Sequence, residues 1–174
     1  MKVFRTLVDE KKLEGWELHF VGSVHEGEKH QQYFEQVKYY AKGYPVVFHL
    51  DAKYDELREV LAQSKIYWHA TGLDEDQNRS PILLEHFGIT TVEAMASGCV
   101  PVVIKAGGQK EIVTEESGFL WDTRRQLIEH TWELITDSEK LKRMSVAAMK
   151  RSTYFSRHAF KERLLSVLQD GNEI

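Results

Sequence analysis

Hydrophobic positions along the 174-residue chain switch repeatedly between a two-residue and a three-to-four-residue period. WELHFVG (16–22) alternates and then runs apolar to Gly22, which reads as a strand, and EKHQQYFEQVKYYAKGY (28–44) reads as a helix stopped at Gly43. The pattern then repeats. PVVFHL (45–50) is short and β-branched, and DAKYDELREVLAQS (51–64) sets Tyr54, Leu57, Val60 and Leu61 on one helical face behind an acidic first turn. KIYWHA (65–70) predicts a third strand, TTVEAMASG (90–98) a helix and VPVVIK (100–105) a fourth strand. Beyond SGFLWDT three helices are expected, over 125–137, 138–152 and 157–170, the last two opened by serine or other capping residues. Ile128, Trp132 and Ile135 form a stripe that reads as core.

Strands alternating with helices of this length predict βαβ crossovers: an α/β fold with a Rossmann-like parallel sheet, helices on both faces and a helical C-terminus. Ligands belong outside the carboxyl ends of such strands. The first fifteen residues have Val3, Phe4, Leu7 and Val8 at helical spacing, so the fold opens on a helix and its first strand is missing. The length suits one domain over 1–174, and no repeat, low-complexity tract or linker divides it.

Composition removes several functions. A net charge of −4, from 23 Lys+Arg against 27 Asp+Glu, argues against a sequence-independent nucleic-acid binder. The single cysteine, Cys99, permits neither an intrachain disulfide nor a Cys-rich zinc site, and a reducing, cytoplasmic setting is expected. No apolar run approaches the roughly 20 residues of a transmembrane helix, and the charged start lacks a signal-peptide core. His25 and His30 are five apart, the wrong spacing for one helical face, so solvated histidines are expected there rather than metal ligands. His69, at a strand end, is better placed for a cleft. The acidic loop TGLDEDQNRSPILL (71–84) is longer than most connections and suggests a flap or an insertion; Asn78 to Ser80 fit a glycosylation sequon, which a cytosolic protein would not use. No G-x-G-x-x-G follows a strand, which disfavours a nicotinamide-dependent oxidoreductase.

The chemistry concentrates in EHFGITTVEAMASG (85–98). Thr90-x-x-Glu93 matches a capping box, which would make Glu93 structural. Gly88 stands where the helix begins, and the amides of Gly88, Ile89 and Thr90 would point unpaired at whatever lies ahead, a ready site for phosphate.

This segment, with the V-P-V-V strand after it, resembles the E-x7-E segment of family 4 retaining glycosyltransferases. WELHFVGSV, AGGQKEIV (106–113) and ESGFLWD (116–122) resemble further segments of that family, so the likeness runs from 16 to 122. It implies one half of a GT-B fold, the C-terminal domain that binds a nucleotide-diphosphate sugar. Position by position, Glu85 would meet the donor sugar as the catalytic carboxylate, with the Phe87 and Gly88 backbone beside its hydroxyls. The Ile89 and Thr90 amides would meet the diphosphate, Glu93 the ribose hydroxyls, and Gly107 and Gly108 would close around the donor or form an ordinary tight turn. The backbone near Leu50 to Ala52 would meet the base. No metal or other cofactor is implied.

The family's acceptor-binding N-terminal domain, and the Arg and Lys of its first strand loop, have no counterpart here. Arg5, Lys11 and Lys12 fall too late for that role. The chain is therefore expected to be a fragment, or a truncated or split product, of a hexosyltransferase-type enzyme. By itself it would at most bind nucleotide-sugar, with the acceptor domain supplied in cis or trans; peripheral membrane association of the whole enzyme stays open. The alternative is a non-catalytic nucleotide-binding or scaffold subunit that pairs with a separate acceptor domain.

Overall fold

The computed structural model describes residues 1–77 and 79–170; Asn78, the sequon asparagine, lies outside them. Helix α1 (Lys2–Asp9) leads, its apolar spacing turned inward so that Phe4 and Leu7 are buried. Three strand–helix units follow: β1 (Leu18–Gly22) with α2 (Glu28–Ala41), β2 (Val46–Leu50) with α3 (Tyr54–Gln63), and β3 (Ile66–His69) with α4 (Ile89–Ala96). Then come β4 (Val100–Ile104), the single-turn helix α5 (Gln109–Ile112) and β5 (Phe119–Trp121), and the chain ends in α6 (Arg124–Thr136), α7 (Ser138–Ser152) and α8 (Arg157–Asp170).

Every strand pairing is parallel, as the alternating pattern predicts, but the strands fall into two sheets. β1 pairs with β2 in one, and β3, β4 and β5 lie side by side in the other. β4 is buried at all five positions, the mark of a central parallel strand covered on both faces. β5 was not anticipated: three residues are too short for a period, and pairing of Val102 to Ile104 with Phe119 to Trp121 makes it a strand. No helix among the described residues is long and apolar enough to cross a membrane.

The core grows outward from β4. Val100, Val102 and Ile104 pack with Trp121, Leu127, Leu134 and Met144, and Val103 packs on the other face with Met95, Ile112 and Ala148. The Ile128, Trp132 and Ile135 stripe, expected as core, is half-buried and packs α6 against the buried Phe4, Leu7 and Leu13. Cys99 is buried, donates to the Leu61 carbonyl at 3.3 Å, and has its thiol pushed by that burial to about 11, which keeps it protonated and inert. Asp137 rather than Ser138 caps α7, accepting from the Lys140 amide at 2.8 Å, while Ser156 caps α8 and Thr123 with Gln126 forms a full capping box on α6.

One side-chain bond ties the three-stranded sheet to α6: the Trp68 indole N–H donates to Thr131 Oγ1 at 2.9 Å, with Thr131 only 3% exposed. Replacing Thr131 by valine keeps the shape and strands the indole donor, which costs about 1–3 kcal/mol. We expect T131V to lower the urea midpoint accordingly, and Trp68→Phe in the T131V background to cost less than the two changes made separately.

Candidate functional site

The carboxyl ends of β3 and β4 and the loops that leave them define one site. His69 closes β3, and its Nε2 lies 3.3 Å from Glu85 Oε2, the His69 side chain 11% and the Glu85 side chain 30% exposed. Two residues back on the same face of β3, the Tyr67 hydroxyl shares a 2.8 Å hydrogen bond with Thr90 Oγ1. Period-2 spacing in KIYWHA carried that signal, yet Tyr67 was not singled out.

Glu85 is held by its main chain. The Gly108 N–H donates to the Glu85 carbonyl at 2.8 Å, and Gly107 takes φ +52° in the same turn. A Cβ on Gly107 would stand 2.1 Å from the Glu85 carbonyl oxygen, and one on Gly108 would stand 2.5 Å from the His86 carbonyl oxygen. These glycines therefore clamp the loop that bears Glu85, and side chains at either position would push the loops apart.

The capping box expected at Thr90 and Glu93 does not form. Helix α4 starts one residue earlier, at Ile89, with Gly88 as its N-cap at φ +92° and no side-chain cap. Thr90 is spent on Tyr67, so neither its hydroxyl nor Glu93 closes the helix start. The Gly88 carbonyl takes the Thr91 and Val92 amides, and the Ile89 and Thr90 amides make no hydrogen bond among the described residues. Both residues are exposed, so these two donors, with the positive end of the helix dipole behind them, open on solvent beside Glu85. Beneath Gly88 lies Gln109, wholly buried, whose side-chain amide finds no partner among the described residues.

Phe87 projects outward, 45% exposed, with its ring edge-on to Phe155 at 5.7 Å. Glu93 lies a turn into α4 and lines a hollow of about 180 Å³ with Tyr54, Arg58 and Ser97, between α3 and α4. The structure thus brings Glu85, Phe87, Gly88, Ile89, Thr90, Gly107 and Gly108 together in one place and sets Glu93 apart, in the hollow between α3 and α4. The long loop before them is anchored: Asp74 pairs with Arg124, the Gln77 amide donates to the Lys105 carbonyl at 3.2 Å, and Leu73 and Leu84 join the core. His25 and His30 are exposed and meet edge-on, 5.7 Å between ring centres, away from this site.

Electrostatics follow from burial. Desolvation lowers the His69 imidazole below its ordinary 6.5, and the Glu85 carboxylate only partly offsets it. His69 is therefore neutral near pH 7; with Nε2 donating to Glu85, its Nδ1 is left buried without a partner among the described residues. Burial raises the Tyr67 phenol, the Thr90 hydrogen bond pulls it back, and the charges of Glu85 and Glu93 raise it further. Chemically, the arrangement offers a carboxylate on a histidine and two outward amides at a helix start. Such groups accept hydroxyl hydrogen bonds at the carboxylate and donate to an anion at the amides.

Residues 1–151 match the family described as glycosyl transferases group 1. Over 126 residues the chain is 29% identical to a GDP-Man:Man(3)GlcNAc(2)-PP-Dol alpha-1,2-mannosyltransferase of Dictyostelium discoideum, covering 71% of this chain and 23% of that protein. Among solved structures, the C-terminal domain of the glycosyl transferase group 1 family protein LpcC from Francisella tularensis aligns with a TM-score of 0.69 at 21% identity, covering 87% of this chain and 75% of that one. HepE of Anabaena, solved in complex with UDP-glucose, aligns with a TM-score of 0.74 at 20% identity, covering 98% of this chain and 45% of that one. At these identities the two structures speak for the fold. The chain spans less than a quarter of the length of the Dictyostelium relative.

The lowered His69 fixes a pH dependence. The unfolded chain takes up the proton first as pH falls through about 6.5, so stability declines from there toward the lower folded value and then levels off. His130, stacked on Phe119 and also lowered by burial, acts in the same direction. Urea midpoints measured from pH 8 to pH 5 should therefore fall below pH 6.5, and more shallowly for H69Q; equal slopes would contradict a buried neutral His69.

Proposed function

The chain belongs to the group 1 glycosyl transferases, and from that premise we propose that it is the donor-binding domain of a retaining, family 4 enzyme of hexosyltransferase type. In this reading the enzyme moves a sugar from a nucleoside-diphosphate sugar to an acceptor held by a domain outside residues 1–174, in cis or in trans. The observation that carries it is the convergence at the start of α4, where the unpaired Ile89 and Thr90 amides stand beside Glu85.

The roles follow the chemistry of a breaking glycosyl bond. As the bond between the sugar's anomeric carbon and the diphosphate oxygen lengthens, charge grows on the diphosphate. The Ile89 and Thr90 amides and the α4 dipole would stabilise it where it appears. The acceptor's oxygen bonds to the same carbon from the same face, and its proton passes to the departing phosphate oxygen. That route needs no metal. Glu85 would accept hydrogen bonds from the donor's sugar hydroxyls, with His69 occupying one carboxylate oxygen and leaving the other to the sugar. Glu93 would take the ribose hydroxyls, the Phe87 and Gly88 backbone would lie along the sugar, and Gly107 and Gly108 would contribute by holding the Glu85 loop. The protein would work in the cytoplasm, where nucleotide-sugars are available.

Calorimetric titration with UDP, GDP and ADP and their sugars checks this reading, the first two prompted by the donors named for the relatives above. We expect one series to bind and Glu93→Ala to weaken it by about tenfold or more, as loss of a charged hydrogen-bond acceptor implies. No binding by any nucleotide, with E93A and wild type indistinguishable, would sink the assignment. In the complete enzyme, E85Q should reduce kcat by about 100-fold while leaving the affinity for the free nucleoside diphosphate unchanged.

A further inference from the structure

Three hydroxyls meet at the first turn of α4. The Tyr67 phenol oxygen and Thr90 Oγ1 are 2.8 Å apart, and Thr90 has no other side-chain partner among the described residues. Thr91, the next residue, is wholly buried, and its Oγ1 makes no hydrogen bond of ordinary geometry among the described residues; the group it acts on is the same phenol. Packing fixes the Tyr67 ring. It joins Met95 and Val103 in one apolar cluster and Leu61, Ala94 and Cys99 in another, so α3, α4 and β4 all hold it. Burial raises the phenol above its ordinary 10, against the pull of the two threonine hydroxyls, so Tyr67 keeps its proton at neutral pH.

Each hydroxyl carries one proton, and that count gives the row a direction. A sealed O–H that finds no acceptor is costly, and the phenol oxygen is the acceptor within reach of Thr91. Tyr67 then spends its own proton on Thr90 Oγ1. The reverse order would strand the Thr91 proton inside the protein. The proton left over is therefore that of Thr90, which is exposed beside its own unpaired amide and that of Ile89. A threonine hydroxyl without such a partner would rotate among three staggered positions or bond back to a main-chain carbonyl one turn earlier, and Thr90 makes no such return bond among the described residues.

We propose that Tyr67 is a positioning residue for anion binding at α4: it fixes the outward Thr90 hydroxyl as a third donor, beside the Ile89 and Thr90 amides, for the oxygens of a diphosphate. The inference deepens the function proposed above and rests on the part of that reading which sets an anion at the start of α4. Two adjacent residues then offer three donors, which suits a phosphoryl group whose oxygens accept in several directions. Tyr67 itself touches no ligand and acts through Thr90. Besides choosing the direction of the Thr90 O–H, the phenol strengthens it, because a hydroxyl that already accepts a hydrogen bond donates a better one. A donor held in place beforehand is worth most where charge grows, on the diphosphate as the glycosyl bond breaks.

Calorimetric titration of the chain with inorganic pyrophosphate tests this, because pyrophosphate carries the anion without base or sugar. T90V should weaken binding about tenfold or more, as loss of a hydroxyl donor to a charged group implies, and T90S should restore it. Thr90 is exposed, so these two variants report on the site without disturbing the core. Y67F should weaken binding about threefold or more, the loss of one chosen position among three staggered ones, and should cost nothing further in the T90V background. Four results would each overturn the proposal: no pyrophosphate binding by the wild type, equal binding by T90V, a T90S variant no better than T90V, or the same loss from Y67F with and without the Thr90 hydroxyl, which would leave Tyr67 a packing residue only. The donor reading fails differently. Pyrophosphate bound with the expected responses, while no nucleoside diphosphate binds more tightly, would sink that reading and leave this one standing; nucleoside diphosphates bound alike by wild type, T90V and Y67F would do the reverse.

Discussion

A main-chain contact between two strand-to-helix loops governs the rest of the site. The Gly108 amide meets the Glu85 carbonyl at 2.8 Å, and Gly107 brings its backbone so close that even a methyl group would overlap the same oxygen. That contact sets where the 85–88 loop ends, hence where Gly88 turns and where α4 begins. It therefore also sets which amides α4 leaves free. A side-chain interaction with rotamer freedom could not hold a carboxylate and a helix terminus in such fixed relation; two backbones in contact can.

The surrounding packing supports that contact from below. β4 is buried at all five positions, so the loop bearing Gly107 and Gly108 leaves a strand that has no room to shift, and β3, which the Glu85 loop leaves, is paired along it. From the C-terminal side Arg151 donates to the carbonyls of Glu111 and Ile112, capping α5, and its guanidinium lies over the Tyr154 and Phe155 rings. Phe155 in turn meets Phe87 at the mouth of the site. The terminal helices thus connect the core to the loop that bears Glu85. The buried Gln109 side chain, unpartnered beneath Gly88, sits at a cost of about 1–3 kcal/mol.

Much of this was legible in the residues. The strands over 16–22, 45–50, 65–70 and 100–105 each appear, shortened by one or two residues at their ends, because β-branched runs bounded by glycine or polar residues have few other solutions. The helical opening appears too, with Phe4 and Leu7 inward. Misreadings came where a local rule met a distant partner. Thr90-x-x-Glu93 satisfies the capping-box pattern, but the Tyr67 hydroxyl, from a strand 23 residues earlier, takes the threonine, and a left-handed Gly88 starts the helix instead. Phe119 to Trp121 carry too short a pattern to announce a strand and become one only because β4 lies alongside.

The sequence by itself determined which groups stand near the candidate site: two carboxylates eight positions apart around a glycine turn, a helix start between them, and the alternation of strands and helices that puts such a turn at a sheet's carboxyl edge. Those are local properties, set by spacing and by which residues tolerate which backbone. Only the tertiary structure decided that His69 holds Glu85, that Tyr67 holds Thr90, that Gly107 and Gly108 clamp the Glu85 loop, and that the sheet divides between β1 and β3. Each of these joins segments separated by roughly fifteen residues or more, and contacts at that range depend on how whole elements pack, which no local period encodes.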